Sequence, residues 1–424
     1  MMPDQSTEIG TKLVDLLRAG RFDDIREMFA PNLRPLVTPE SLRAAWEAEI
    51  GRHGAVRSVG TPVSEPAGAN DATLLRVPVT FERGAVTILA SVAGPAWVIS
   101  LQIAAADAAQ PTQPWQPPAY ADPSALQERE VTVGSGPLAV TGVVTLPAGP
   151  GPHPAVVMLS GSGAHDRDET IGRNKPFKDI AWGLAGRGVA TLRYDKVTYA
   201  HPGLVAGDPD FTVQGEYVDH AVAAVELLRG HPSVDPARVF VLGHSEGGTL
   251  APRVAAAEPA VAGLVILAGG AQPLQWAAVR QFRYLASLDP ATAAAAEPLI
   301  ETVTRQAQAV DSPALSASTP ASGLPFGVPA SYWLDLRDYD PAAEAAKLGR
   351  PMLILQGARD YQVTVADDLS RWQAALAGRS DVTFRVYDAD DHLFFSGEGP
   401  STPAGYEPAQ HVDPAVIADI AAWI

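Results

Sequence analysis

The sequence predicts an α/β protein: a mostly parallel sheet with helices on both faces, an inserted helical lid, and a small α+β domain at the N-terminus. Three observations carry this. Past residue 150, apolar runs without a polar face alternate with helix-length stretches; the runs are Ala155–Leu159, Val189–Tyr194, Arg238–Leu242, Leu264–Ala268, Met352–Leu355 and Val382–Tyr387. Strands apolar on both sides belong to a sheet covered on both sides, as parallel sheets are. One connection, from Leu267 to Met352, is far longer than the roughly dozen residues a crossover needs, so something is inserted there. Finally, Ala104 to Gln127 is a run of Ala, Pro and Gln with no period, the signature of a linker held extended by proline.

The elements follow in order. Residues 1–105 form the first domain. Ile9, Leu13 and Leu16 share one helical face, and Thr38-Pro39 has the cap-then-proline order that opens a second helix through Leu42 and Trp46. Leu75/Val77/Val79/Phe81, then Val86/Ile88, then Trp97/Ile99/Leu101/Ile103 alternate with polar neighbours, as half-buried antiparallel strands do. This domain carries no His, Asp or Ser cluster of catalytic spacing, and a docking or scaffolding role is expected of it. Residues 106–126 are the linker and 127–424 the second domain, opening with a hairpin over Val131 to Leu146. The insertion, about 271–340, holds two helical stretches, Leu274 to Leu288 and Leu299 to Val310, and then Tyr332-Trp333-Leu334.

Composition narrows the chemistry. Of 424 residues 46% are hydrophobic and 19% charged, enough apolar material for two cores. The 31 basic against 48 acidic residues give a net charge of −17, which repels a phosphate backbone, so no nucleic-acid partner is expected. The absence of cysteine excludes a thiol nucleophile, disulfides and thiolate metal sites. The first 17 residues lack the basic flank and apolar run of a secretory signal, and no stretch reaches the roughly 18 apolar residues of a membrane span. A cytoplasmic protein is the expectation, with homodimerisation left open.

Gly243-His244-Ser245-Glu246-Gly247 follows the buried run Arg238–Leu242 and precedes a helical stretch. A serine at such a strand-to-helix turn is held in a strained backbone that pushes its hydroxyl out of the sheet edge. Ser245 is the candidate nucleophile, and the N–H of Glu246 is placed to meet a developing oxyanion. The acid and then the base follow in chain order in this arrangement. His392, just past Val382–Tyr387, is the favoured base over His411. Asp360, just past Met352–Leu355, is the favoured acid over Asp367 and Asp368, expected on the next helix, and over Asp388, Asp390 and Asp391, too near His392 in the chain to bend back to its ring. The second oxyanion donor is expected from Leu159-Ser-Gly-Ser-Gly163, at the N–H of Ser162. His165 to Glu169 and Asp388 to His392 lack a metal-ligand spacing and read as loop ion pairs, so neither metal nor cofactor is expected.

From Val131 onward the chain resembles the α/β-hydrolase superfamily, and within it bacterial serine esterases that carry a small N-terminal cystatin/NTF2-like domain. The resemblance rests on Ser160-Gly-Ser-Gly-Ala-His-Asp-Arg-Asp-Glu-Thr170, Asn174-Lys-Pro-Phe-Lys-Asp179, Arg193-Tyr-Asp-Lys196, Gly243-His-Ser-Glu-Gly-Gly248, Gly357-Ala-Arg-Asp360 and Asp391-His-Leu-Phe394. It implies an α/β-hydrolase fold with Ser245 as nucleophile, His392 as base and Asp360 as acid. The chain departs at Ala164, where such sequences have proline, at Val197, where they have arginine, and at Asp391, where asparagine commonly stands. The expected reaction is hydrolysis of small to medium apolar carboxylic esters through an acyl-enzyme, with Phe282, Tyr332 and Trp333 of the insertion as walls of the substrate site. An acyltransferase, cyclase or peptidase using the same three side chains, or a ligand-binding protein on the same scaffold, remains open at this point.

Overall fold

The computed structural model describes residues 3–30, 33–34, 37–66, 73–93, 97–106, 115–206, 208–288 and 290–424. Contacts divide the chain into two units, Met1–Pro114 and Trp115–Ile424. The division falls within the expected linker, of which residues 107–114 lie outside the described residues.

In the first unit, helices Pro3–Arg18, Phe22–Met28 and Pro39–His53 accompany an antiparallel sheet of five strands. These are β1 (Val56–Val59), β2 (Val63–Pro66), β3 (Thr73–Phe81), β4 (Ala85–Ala93) and β5 (Trp97–Ala105). The order is β1-β3-β4-β5, with β2 also on β3. Thr38 caps the third helix by accepting the N–H of Ser41 at 3.1 Å, with Pro39 in the first turn where its missing N–H costs nothing. Leu13, Ile25, Trp46, Val77, Ile88 and Val98 close the core between helices and sheet. β1, β2 and Phe22–Met28 are short and carry too little periodicity to stand out in the sequence.

The second unit is built on eight strands: β6 (Leu126–Val133), β7 (Val140–Pro147), β8 (His153–Leu159), β9 (Ala190–Tyr194), β10 (Val234–His244), β11 (Leu264–Leu267), β12 (Met352–Gly357) and β13 (Val382–Tyr387). Their order is β13-β12-β11-β10-β8-β9-β7-β6. The hairpin β6–β7 and the pair β7–β9 are antiparallel and the remaining pairs parallel. Period-two burial explains why these strands read as unbroken apolar runs. Val157, Val241, Ile266 and Ile354 face one core, and Met158, Leu242, Val265 and Leu355 face the other.

Two features of this topology place the site. The chain leaves β8 toward β9 on one side and returns to β10 on the other, so the loops after β8 and β10 part at a switch point and leave a crevice at the carboxyl edge. Between β11 and β12 the chain inserts helices Leu274–Ser287, Pro290–Asp311, Ala330–Leu336 and Pro341–Lys347. Among the described residues, no helix is long and apolar enough to cross a membrane.

Candidate active site

Ser245 sits between the end of β10 and the helix Glu246–Ala257, with φ 52° and ψ −119°. A non-glycine residue there stores roughly 1–3 kcal/mol, which the surroundings must hold. They do so by close approach. The Ser245 N–H donates to the carbonyl of Leu267 on β11 at 2.9 Å. A Cβ on Gly243 would stand 2.2 Å from the Gly247 carbonyl oxygen, and one on Gly247 would stand 2.3 Å from that of Leu159. Only glycine fits at either position, which is the steric reason for the spacing around the serine.

His392 and Asp360 are brought together from the loops after β13 and β12. His392 Nδ1 donates to Asp360 Oδ2 at 2.7 Å, with side chains 5% and 0% exposed. The carboxylate is held on every side. Its Oδ2 also accepts from Gln356 Nε2 at 3.0 Å, and its Oδ1 accepts the N–H groups of Gln362 at 2.8 Å and Val363 at 3.0 Å. Four donors fix its plane, and with it the tautomer that leaves His392 Nε2 free to accept a proton. The alternatives are engaged elsewhere: His411 bonds Asp179, Asp368 accepts from Ala271, Gln272, Thr364 and Arg280, and Asp391 accepts the N–H groups of Leu393 and Phe395. Ser245 stands at the same sheet edge, after β10, and its hydroxyl makes no hydrogen bond with His392.

The loop after β8 passes against the serine, since a Cβ on Gly161 would stand 3.1 Å from Ser245 Cβ. Ser162 is exposed and its carbonyl is bonded to His165 Nε2 at 2.8 Å. Glu246 opens the helix, where backbone N–H groups have no partner within the helix. The N–H groups of Ser162 and Glu246 have no acceptor among the described residues.

One arrangement has no counterpart in the sequence reading. Glu169, fully buried at φ 51°, accepts on Oε1 from the Gly161 N–H at 2.6 Å and from His244 Nδ1 at 2.9 Å, while His244 Nε2 meets the carbonyl oxygen of His392 at 2.9 Å. Both ring nitrogens of His244 face acceptors, so both carry hydrogen and the ring is an imidazolium paired with Glu169. Burial alone would lower the His244 pKa, but the charge and hydrogen bond of Glu169, the His392 carbonyl and Asp360 together raise it. Burial would likewise raise Glu169, and the charge and hydrogen bond of His244, with His165 and the Gly161 N–H, bring it below its ordinary value. This ion pair ties together the loop after β8, the turn at Ser245 and the loop that holds His392. The His244 and His392 ring centroids are 4.7 Å apart.

The rest of the acidic stretch is likewise occupied. Asp166 accepts from Thr170, Arg167 pairs with Asp195, and Asp168 pairs with Arg193 and Lys175. Among the described residues there is no group of three metal-ligating side chains. The three aromatic side chains expected as walls part company. Phe282 is half-buried on Leu274–Ser287, but Tyr332 and Trp333 are 4% and 0% exposed and belong to the core. Tyr332 turns its hydroxyl to Glu216 and Glu246, so the insertion buries these two rings instead of presenting them to a ligand.

Comparison with known proteins finds the following likenesses. Esterase EstD of Thermotoga maritima is 41% identical over 309 residues, covering 72% of this chain and 69% of that protein. The 2,6-dihydropseudooxynicotine hydrolase of Paenarthrobacter nicotinovorans is 32% identical over 143 residues, covering 34% and 35%. Among solved structures, Est1E from Butyrivibrio proteoclasticus aligns with a TM-score of 0.42 at 17% identity, covering 62% of this chain and 90% of its own. Residues 152–398, more than half of the chain, match the family described as serine aminopeptidase, S33, and the chain belongs to that family of α/β-hydrolases.

Proposed function

We propose that the protein is a serine esterase working through Ser245, His392 and Asp360. The hydroxyl of Ser245 attacks an ester carbonyl as His392 Nε2 takes its proton; Asp360 holds the ring and stabilises the imidazolium. The N–H groups of Ser162 and Glu246 receive the oxyanion. The proton then passes to the departing alcohol, and water releases the acid from the acyl-enzyme by the same steps in reverse. The observation that carries this reading is the wholly buried Asp360–His392 pair at 2.7 Å, set at the sheet edge where Ser245 is held at positive φ. Acylation requires the hydroxyl and the imidazole to close to hydrogen-bond reach, a contact that empty sites often hold long.

Esterase EstD, at 41% identity over most of both chains, supports an ester as substrate. The inserted helices would serve as the lid, with Phe282 the one expected wall residue that is not enclosed in the core. The description of the matched family favours a second reading, an aminopeptidase with the same three side chains. Labelling of the full chain with a fluorophosphonate, followed by turnover of aryl esters of increasing acyl length and of aminoacyl arylamides, separates them. Labelling of Ser245 with ester turnover supports the proposal; labelling with amide turnover alone selects the peptidase; no labelling of Ser245 overturns both.

A further inference from the structure

We propose that the buried cluster of Lys196, Glu216, Tyr217, Tyr332 and Glu246 positions both oxyanion donors, and that it does so with Glu246 protonated. The proposal rests on the reading above, in which the N–H groups of Ser162 and Glu246 meet the oxyanion.

The first donor is set through its own peptide plane. Lys196 Nζ donates to the Gly161 carbonyl at 2.9 Å, and the Tyr217 hydroxyl lies 2.8 Å from the same oxygen and 3.2 Å from Glu246 Oε2, the nearer carbonyl taking its one hydrogen. A trans peptide points its C=O and N–H in opposite directions, so pinning the Gly161 carbonyl into this cluster turns the Ser162 N–H away from it. The second donor belongs to Glu246 itself, whose side chain reaches into the same cluster.

Hydrogen counting fixes the charge. Lys196 carries three hydrogens and has three acceptors: the Gly161 carbonyl, the Tyr217 oxygen and Glu216 Oε1 at 3.0 Å. The Tyr332 hydroxyl lies 2.8 Å from Glu216 Oε2 and 2.9 Å from Glu246 Oε1. It has one hydrogen for two carboxyl groups, so one carboxyl brings a proton of its own. Lys196 forms its salt bridge with Glu216. Glu246, with no salt-bridge partner among the described residues, takes the proton, donates it to Tyr332, and Tyr332 donates to Glu216. Burial, first, pushes Glu246 up and Glu216 adds to it, against the opposing pull of Lys196 and of the Tyr332 and Tyr217 hydroxyls. Burial first, then the two carboxyl groups, hold the Tyr332 hydroxyl protonated well above its ordinary range. The groups facing Glu246 are thus Lys196 after β9, Glu216 and Tyr217 from the turn before Asp219–Arg229, and Tyr332 from the insertion. A charged Glu246 would set a negative charge on the residue whose N–H must stabilise another.

Infrared difference spectra of the full chain at about neutral pH test this without turnover. The carbonyl stretch of a protonated carboxylic acid should appear in wild type minus Glu246→Gln and equally in wild type minus Glu216→Gln, because one proton shared by two carboxyls is released when either is removed. It should also disappear on alkaline titration of the wild type, which needs no variant. In Glu216→Gln the remaining Glu246 is charged, so kcat should fall by roughly tenfold or more with KM within about twofold. Glu246→Gln, which stays neutral, should lose less. No carboxylic acid signal in either difference, or a larger kcat loss in Glu246→Gln than in Glu216→Gln, overturns the proposal. Fluorophosphonate labelling of Ser245 in the same samples reports separately on the nucleophile.

Discussion

Asp360→Asn is the sharpest perturbation of the site, because the structure dictates what the amide must do. Asp360 uses four accepting positions: Oδ1 for the Gln362 and Val363 N–H groups, Oδ2 for Gln356 Nε2 and His392 Nδ1. The asparagine oxygen takes over the two backbone donors, which leaves its NH₂ facing the Gln356 amide and the His392 ring. The donor-on-donor meeting with Gln356 costs about 1–3 kcal/mol of stability in a fully buried place. The ring escapes its own clash only by moving hydrogen to Nε2 and accepting at Nδ1, and in that tautomer it cannot take the Ser245 proton. Loss of the competent tautomer in a comparable site lowers kcat roughly 10⁴-fold, about 5 kcal/mol of transition-state stabilisation. The assay is kcat on an aryl ester across pH, alongside urea unfolding to show that the variant is folded. A folded Asp360→Asn protein within about tenfold of wild type would refute the assignment of the acid and of the tautomer argument with it.

Other outcomes follow from the same geometry. Ser245→Ala should abolish ester turnover and fluorophosphonate labelling while leaving urea stability about unchanged, since alanine keeps a Cβ at the same positive φ and the flanking glycines are untouched; residual labelling at another serine would sink the nucleophile assignment. Glu169→Gln should cost about 3–5 kcal/mol by leaving a buried imidazolium unpaired, with chemical denaturation as the measure. The pair should also shape stability against pH. The contribution of His244, whose folded pKa is raised, is complete below its ordinary 6.5 and lost as pH rises through the folded value. That of Glu169, whose folded pKa is lowered, is present above 4.5 and lost as pH falls through the folded value. Stability curves of wild type and the His244→Gln, Glu169→Gln double variant that run parallel across that window would contradict the ion pair. Gly247→Ala drives a methyl to 2.3 Å from the Leu159 carbonyl and should destabilise by roughly 3 kcal/mol or more, seen as a lowered Tm with loss of labelling.

Some of this molecule was legible in the amino-acid order because the physics involved is local. Apolar runs on both faces announce a doubly covered sheet whatever they pack against, and β8 to β13 fall where those runs lie. Glycines at 243 and 247 are demanded by a turn that closes within five residues. The cap at Thr38 is three residues from the N–H it serves, and the overlong connection between Leu267 and Met352 is a matter of counting. For the same reason Asp360 and His392 could be singled out, since each lies a few residues past a strand-like run, although nothing in the sequence gives the 2.7 Å between them.

What only the tertiary structure decided is which side chains meet across long stretches of chain, and hence their charge. Glu169 and His244 are 75 residues apart, Tyr332 and Glu246 86, Tyr332 and Glu216 116. Glu169 reads in sequence as one acid in a charged loop, and Tyr332 as an aromatic of the insertion free to line a cleft. Folding removes both from water, and a buried polar group has to find its partner wherever the sheet order brings one. The sequence alone determined that Ser245, Asp360 and His392 would arrive at one edge of a sheet. The folded chain decided that a buried imidazolium at His244 and a proton on Glu246 would stand behind them, because proton occupancy depends on neighbours in space and not on neighbours along the chain.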